Sequence, residues 1–171
     1  MGKKRRVLKK GKIVITRKGD FVLALAKKIV LWLKPYCRRI EVVGSIRRKE
    51  KNPVDIDIVL IPKTEKHKDK ILDFLKNKGK FVQGGEKEST FKIQGVKVEL
   101  YYPVLESWGA SLLAYTGSSG ASIGLRVLAK KKGFKLNQHG LFKQNKMIAG
   151  KTETEIYKKL GKKYKLPEKR K

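Results

Sequence analysis

Asp55 and Asp57 stand two residues apart in the run Val54-Asp55-Ile56-Asp57-Ile58-Val59-Leu60-Ile61. Its first half alternates and its second half is continuously apolar, as in a strand that enters a buried sheet and shows polar side chains only at its start. On such a strand both carboxylates leave the same face. Held that close they repel each other. A divalent cation that prefers hard oxygen ligands, magnesium or manganese, removes the conflict. Glu99 lies in a second strand-like run, Lys97-Val98-Glu99-Leu100. If the two strands are neighbours, Glu99 completes a three-carboxylate cluster. Alone, Asp-x-Asp reads better as a solvated strand face paired with lysines, because so short a motif recurs by chance.

A second group has phosphate chemistry. Gly44-Ser45 follows the strand Ile40–Val43 and precedes a turn or short helix through Arg47 and Arg48. Glycine permits close backbone approach. Ser45 offers a hydroxyl, and the two arginines offer planar forks matched to phosphate oxygens. By itself Gly-Ser suits an ordinary surface turn. The combination is far more specific: Gly-Ser at a strand end, a double Arg, nine residues before Asp-x-Asp, and a third acid on a later strand. Together these supply triphosphate binding beside a two-metal site. There is no Walker A motif, and His67, His139 and Cys37 are too scattered for a zinc site.

The elements that must position these groups follow in order. Asp20 can cap a helix running to about Leu33, which Pro35 ends. Pro53 precedes the Asp-x-Asp strand, read as Val54 to Ile61, and Pro62 ends it. Thr64 to Lys78 forms an amphipathic helix with Ile71, Leu72, Phe74 and Leu75 inward, stopped at Gly79. Phe81–Gln83, Thr90–Gln94 and Val96–Tyr102 read as strands, with Gly84-Gly85 and Gly95 in the turns. Helices over Ser107–Tyr115 and Ser119–Lys132 flank the turn Thr116-Gly117-Ser118. Phe134–Asn137 and Gly140–Lys143 read as a β-ribbon, and Thr152 with Glu155 opens a last helix near Glu153–Leu160. The class is α+β: a sheet-built first half with a mixed or antiparallel sheet, then a small, mostly helical lobe carrying the ribbon. The expected organisation is a basic arm over 1–19, a catalytic lobe over 20–106 and a C-terminal lobe over 107–171.

Composition points to a polyanionic partner. In 171 residues, 44 Lys and Arg face 15 Asp and Glu, for a formal charge of +29. Such a field costs stability through self-repulsion, and nucleic acid is the first candidate to offset it. The single cysteine excludes an internal disulfide and suits a reducing compartment. The most apolar stretch, Phe21 to Leu33, is short and carries Lys27 and Lys28, so no membrane span is expected. Expectation is therefore a soluble, intracellular, monomeric protein, in the cytoplasm or, in a eukaryotic or viral host, the nucleus. The charge run at 1–19 reads as a mobile or phosphate-contacting arm.

Gly44-Ser45-Ile46-Arg47-Arg48 followed by Asp55-Ile56-Asp57 resembles the nucleotidyltransferase superfamily of DNA polymerase beta. That much also suits a CCA-adding enzyme, an aminoglycoside nucleotidyltransferase or a toxin-type minimal transferase. Leu113-Ala114-Tyr115-Thr116-Gly117-Ser118 resembles the Tyr-Phe-Thr-Gly-Ser segment of family X polymerases. Arg126 matches that family's template-facing arginine, Gly133–Asn137 with Gly140–Phe142 its ribbon, and Tyr164–Arg170 its Tyr-Arg-x-Pro-x-x-Arg close. The resemblance covers about 20 to 171 and is similar to compact viral members.

The resemblance implies a gap-filling, template-directed DNA polymerase acting on gapped or primer-template DNA with dNTPs. Asp55, Asp57 and Glu99 would bind two magnesium ions, with manganese as the substitute. Gly44, Ser45 and Arg48 would hold the β- and γ-phosphates, and Tyr115, Thr116, Gly117 and Ser122 would line the nucleotide. Arg126 and Lys130 would meet the template. Several positions depart from the family pattern: Glu99 stands for the usual Asp, Ala114 for Tyr, Ser122 for Asn and Ser119 for Asp. The arm is short for the family's lyase domain, so no lyase activity is expected. The alternatives are a template-independent terminal or RNA nucleotidyltransferase and a catalytically weak nucleic-acid-binding module.

Overall fold

A computed structural model describes residues 4–9 and 12–170, with residues 4–9 and 12–17 described by their backbone. The chain divides into two compact units. Unit 1 comprises Met1–Val42 and Glu50–Tyr102; unit 2 comprises Val43–Lys49 and Pro103–Lys171. The Gly44-Ser45 segment therefore groups with the second half of the chain, although sequence order had placed it in the lobe over 20–106.

Unit 1 opens with β1 (Lys4–Lys9) and β2 (Lys12–Arg17), an antiparallel pair where the charge run suggested an arm without regular structure. The apolar patch Ile13-Val14-Ile15 was too short to outweigh the surrounding lysines as a signal. Helix α1 (Gly19–Leu33) buries Val22, Leu25, Ala26, Ile29 and Leu33, spaced for one face. Its N-cap is Lys18, without a side-chain bond, and Asp20 sits in the first turn instead of capping. There its charge complements the helix dipole. The start is fixed by close packing: a Cβ on Gly19 would lie 2.9 Å from the Asn52 Cα.

The main sheet holds β3 (Cys37–Val42), β4 (Asp55–Pro62), β5 (Lys80–Gly84), β6 (Glu88–Ile93) and β7 (Val96–Tyr101), in the order β3-β4-β7-β6-β5. β4 and β7 run parallel and the other pairs antiparallel, so the sheet is mixed. The parallel pair needs a crossover, and α3 (Glu65–Lys76) provides part of it. Ile71 and Leu75 of α3 are fully buried, whereas Leu72 and Phe74, also expected inward, are half-buried. Thr64 caps this helix by accepting from the His67 amide. Ile56, Ile58, Leu60, Val98, Leu100 and Phe91 share the sheet's buried face, and α1 and α3 pack on the sheet. β5 is exposed throughout, as an edge strand.

Unit 2 contains the short helix α2 (Gly44–Arg47), α4 (Trp108–Thr116), α5 (Ser119–Lys131) and α6 (Glu153–Lys159). The expected ribbon is a three-stranded sheet: β8 (Lys135–Asn137), β9 (Gly140–Lys143) and β10 (Lys146–Ala149). β10 was missed because its turn, Gln144-Asn145, has positive φ at both residues (47° and 63°) without a glycine to announce it. Leu113, Ala129, Leu141, Ala149, Ile156 and Leu160 belong to its core. Thr152 caps α6 by accepting from the Glu155 amide. The Glu155 carboxylate, however, takes the Gly150 amide at 3.5 Å, so the reciprocal half of the expected capping box goes elsewhere. Among the described residues no helix is long and apolar enough to cross a membrane.

Candidate active site

The sheet of unit 1 brings the expected carboxylates to one strand pair. Asp57 registers with Glu99 across the parallel β4–β7 ladder, and Asp55 registers with Lys97. Asp55, Asp57, Lys97 and Glu99 thus share the face opposite the buried Ile56, Ile58, Val98 and Leu100. Thr90 of β6 registers with Glu99 on its other side. Both aspartates and Glu99 are half-buried. The condition set by the sequence, that the two strands be neighbours, is met.

The side chains are not drawn together as far as the backbone. Glu99 Oε2 lies 2.7 Å from Lys97 Nζ. Among the described residues no three His, Cys, Asp or Glu side chains form a metal-ready group. The donor set still fits a hard divalent ion, with carboxylates on adjacent strands and one face. The lysine occupies the Glu99 charge that such an ion would take. Lys97 is about half exposed, at 53% for its side chain, so solvent screens this pair and little free energy holds it.

Unit 2 organises the Gly44-Ser45 segment. Gly44 has φ +62°, a left-handed conformation in which a β-carbon is strained. The Ser45 Oγ is buried and has no hydrogen-bond partner in the structure. Leaving a hydroxyl so costs free energy unless a ligand completes it. The two arginines then diverge. Arg47 grips Glu153 with both arms, Nη1 to Oε1 and Nη2 to Oε2 at 2.8 Å each, and Nη1 also donates to Thr116 Oγ1 at 2.9 Å. Arg48 Nη1 donates to the Thr116 carbonyl at 2.7 Å. Of the two forks offered by the sequence to phosphate, the Arg47 fork is engaged by the protein itself.

Glu153 is the hub that sequence reading missed. It is 6% exposed and also accepts from Arg170 Nη1 and, at 3.1 Å, from Tyr164 Oη. Burial pushes its carboxyl upward, but hydrogen bonds and charge from Arg47 and Arg170 outweigh burial and hold it below the usual carboxylate range. Arg170 lies over the Tyr157 and Tyr164 rings and donates Nε to the Lys165 carbonyl at 2.8 Å. The signals were faint: an acid in a helix's first turn reads as a dipole partner, and Arg170 sits in a run of lysines. Only its place in the Tyr-to-Arg close singled it out.

The remaining expected residues lie in the same unit. Thr116 is fully buried and Tyr115 half-buried. Gly117 packs against Ser122: a Cβ there would lie 2.5 Å from Ser122 Oγ, so that hydroxyl would have to turn away. Ser118 caps α5, and the Ser122 hydroxyl is buried without a partner. Arg126 and Lys130, four apart on α5, are exposed along one helix face. Cys37, in unit 1, has its thiol pushed up to about 11 by burial, which leaves it unreactive at neutral pH.

Comparisons with known proteins agree on the family. Residues 111–171 match the family model "DNA polymerase beta thumb". The chain is 33% identical over 147 residues to "Repair DNA polymerase X" of African swine fever virus isolate Tick/Malawi/Lil 20-1/1983, covering 81% of this chain and 84% of the viral protein. The same holds for the Badajoz 1971 Vero-adapted strain. It is also 45% identical over 62 residues to "DNA polymerase IV" of Saccharomyces cerevisiae, covering 36% of this chain and 11% of the yeast protein. An acidic strand pair, a buried Ser-bearing turn and these likenesses converge: the chain belongs to the family X DNA polymerases and is a DNA-directed DNA polymerase, a nucleotidyltransferase.

Proposed function

We propose that the chain fills short gaps in DNA, adding a deoxynucleotide to a primer 3′-hydroxyl opposite a template. The observation that carries this is the registration of Asp57 with Glu99, with Asp55 on the same face. In the reaction the 3′-oxygen bonds to the α-phosphorus, the bond to the β-phosphate oxygen breaks and pyrophosphate leaves. Asp55, Asp57 and Glu99 would hold the two magnesium ions, or manganese, which when bound would supply positive charge to offset the negative charge that develops during transfer.

The protein's own residues supply positioning. Glu99, once turned from Lys97, presents its carboxylate where the primer hydroxyl proton departs. Ser45 donates its otherwise unpartnered hydroxyl to a terminal phosphate oxygen. Arg48 adds a charge-assisted donor. Arg47, pinned by Glu153, keeps Thr116 in place rather than touching the nucleotide. Gly44 and Gly117 leave room for the phosphates and sugar, Tyr115 and Ser122 border the nucleotide, and Arg126 and Lys130 meet the template strand. DNA and dNTP are the partners, and the protein acts as a monomer.

Primer extension tests the reading, with each dNTP and NTP on a one-nucleotide gap, an open primer-template and a single strand. Templated dNTP addition, fastest on the gap, is expected. Addition to the single strand would instead favour a terminal transferase. The Lys97–Glu99 pair favours a weakly catalytic binding module; DNA binding without addition on any substrate would establish that.

A further inference from the structure

The main sheet of unit 1 ends in β5, and among the described residues no strand pairs with its outer edge. An edge of this kind presents unpaired amides and carbonyls to any strand that can lie beside it. β5 is exposed over its whole length and shows two large apolar side chains, Phe81 at 41% and Val82 at 54%. Its two faces differ. Lys80 registers with Lys92 of β6, and Lys92 with Lys97 of β7, so the three lysines form a row on the face that carries the acids. Phe81 registers with Phe91 on the opposite face, where Lys76 of α3 lies over its ring.

Charge selects what can pair there. Lys80 and Lys92 are like charges directly opposite each other. Such pairs destabilise a sheet, and an anion beside them relieves the cost. The acids nearby are Asp73, which already pairs with Lys76 at 3.4 Å, and Glu86 and Glu88 at the turn beyond Gly84. A second copy of the chain fits poorly, because it would bring the same lysines and a formal charge of +29. An unpaired nucleic-acid strand fits poorly too. It is held by bases stacked on open aromatic rings, whereas the Phe81 ring packs edge-on against Phe91 at 5.4 Å and has the Lys76 amine 5.8 Å from its centre. Nor would bases use the free amides and carbonyls of the edge. A peptide strand does, and its alternating side chains meet both faces at once.

We propose that β5 is a docking edge for a partner protein, which adds an extended acidic segment as a sixth strand of the sheet. The segment alternates acidic and apolar residues. Its acids stand beside Lys80 on one face, and its apolar side chains beside Phe81 on the other. Main-chain hydrogen bonds supply the hold, and the alternation supplies the specificity.

The test is fluorescence anisotropy of the full chain with a labelled octapeptide of alternating glutamate and valine. Saturable binding is expected. A peptide of the same composition with its glutamates and valines in two blocks should bind about fivefold or more weakly, because it cannot match both faces. Lys80→Glu and Val82→Glu, both on the exposed edge, should each weaken the alternating peptide by a similar factor while melting within a few degrees of the wild type. Asp57→Ala should bind it as the wild type does, which separates this edge from the metal site. Hydrogen exchange over Lys80–Gly84 should slow by about tenfold when the peptide is added, since a new ladder covers these amides. Four results would overturn the proposal: no saturable binding, equal binding of the blocked peptide, exchange at β5 left unchanged, or displacement of the peptide by an equal concentration of an eight-nucleotide oligothymidylate. None of these measurements reads nucleotide addition, so failure here leaves the polymerase reading standing.

Discussion

Two groups of acids in this protein have opposite fates. Glu153 in unit 2 is buried between two arginines that donate to both its oxygens. Asp55, Asp57 and Glu99 in unit 1 share one half-buried sheet face in which a solvent-screened lysine pairs with Glu99. The first group is complete without a ligand; the second invites one. Burial and the number of donors decide between scaffold and site, because a buried charge survives only when paired and hydrogen-bonded, whereas clustered carboxylates gain most from a cation.

The comparison can be broken by exchanging effects between the two groups. The largest expected effect is on catalysis at Glu99. Glu99→Gln should slow gap filling by about a hundredfold or more, the order lost with a principal electrostatic group, and leave the melting temperature nearly unchanged. Glu99→Asp should retain or raise activity. Full activity in Glu99→Gln, measured by single-turnover extension, would remove Glu99 from the site.

Glu153→Ala should do the reverse. Removing one partner of a buried pair costs about 3–5 kcal/mol, which for a chain of this size lowers the melting temperature by roughly 6–20 °C. A loss of activity without loss of stability, seen by calorimetry, would make Glu153 a site residue instead. Next in size is the pH dependence. The folded-state pKa of Glu153 is depressed below its ordinary value of 4.5. Its stabilisation is therefore complete above the unfolded pKa and is lost as pH falls through the folded one. Wild type should lose stability in acid more steeply than Glu153→Gln; parallel acid-denaturation curves would contradict the network.

The smallest effect belongs to Lys97→Ala. The pair it forms is half exposed, so stability should change by less than about 1 kcal/mol. Releasing Glu99 should lower the magnesium concentration needed for half-maximal activity. An unchanged or raised requirement would show that the lysine does not compete with the metal.

The sequence was most legible where pattern and chemistry coincide. The alternating start and apolar end of the Asp-x-Asp strand located β4 within a residue or two, and its acids fell on the side the alternation required. Gly-Ser at a strand end pointed to a turn whose glycine is left-handed and whose serine hydroxyl waits for a partner. Residue type alone could not tell Arg47 from Arg48, since the choice rests on a glutamate 106 positions away. Nor could it find β10, whose turn has no glycine, or the β1–β2 pairing, which lysines concealed. Contacts distant in sequence leave no local pattern to read.

The most direct measurement is single-nucleotide gap filling by Asp57→Ala in magnesium, set beside its thermal unfolding. The account predicts loss of detectable addition with a melting temperature within a few degrees of the wild type, since a half-exposed site carboxylate contributes about 1 kcal/mol or less to stability. Extension at the wild-type rate would contradict it, and so would a collapse in stability like that expected for Glu153→Ala.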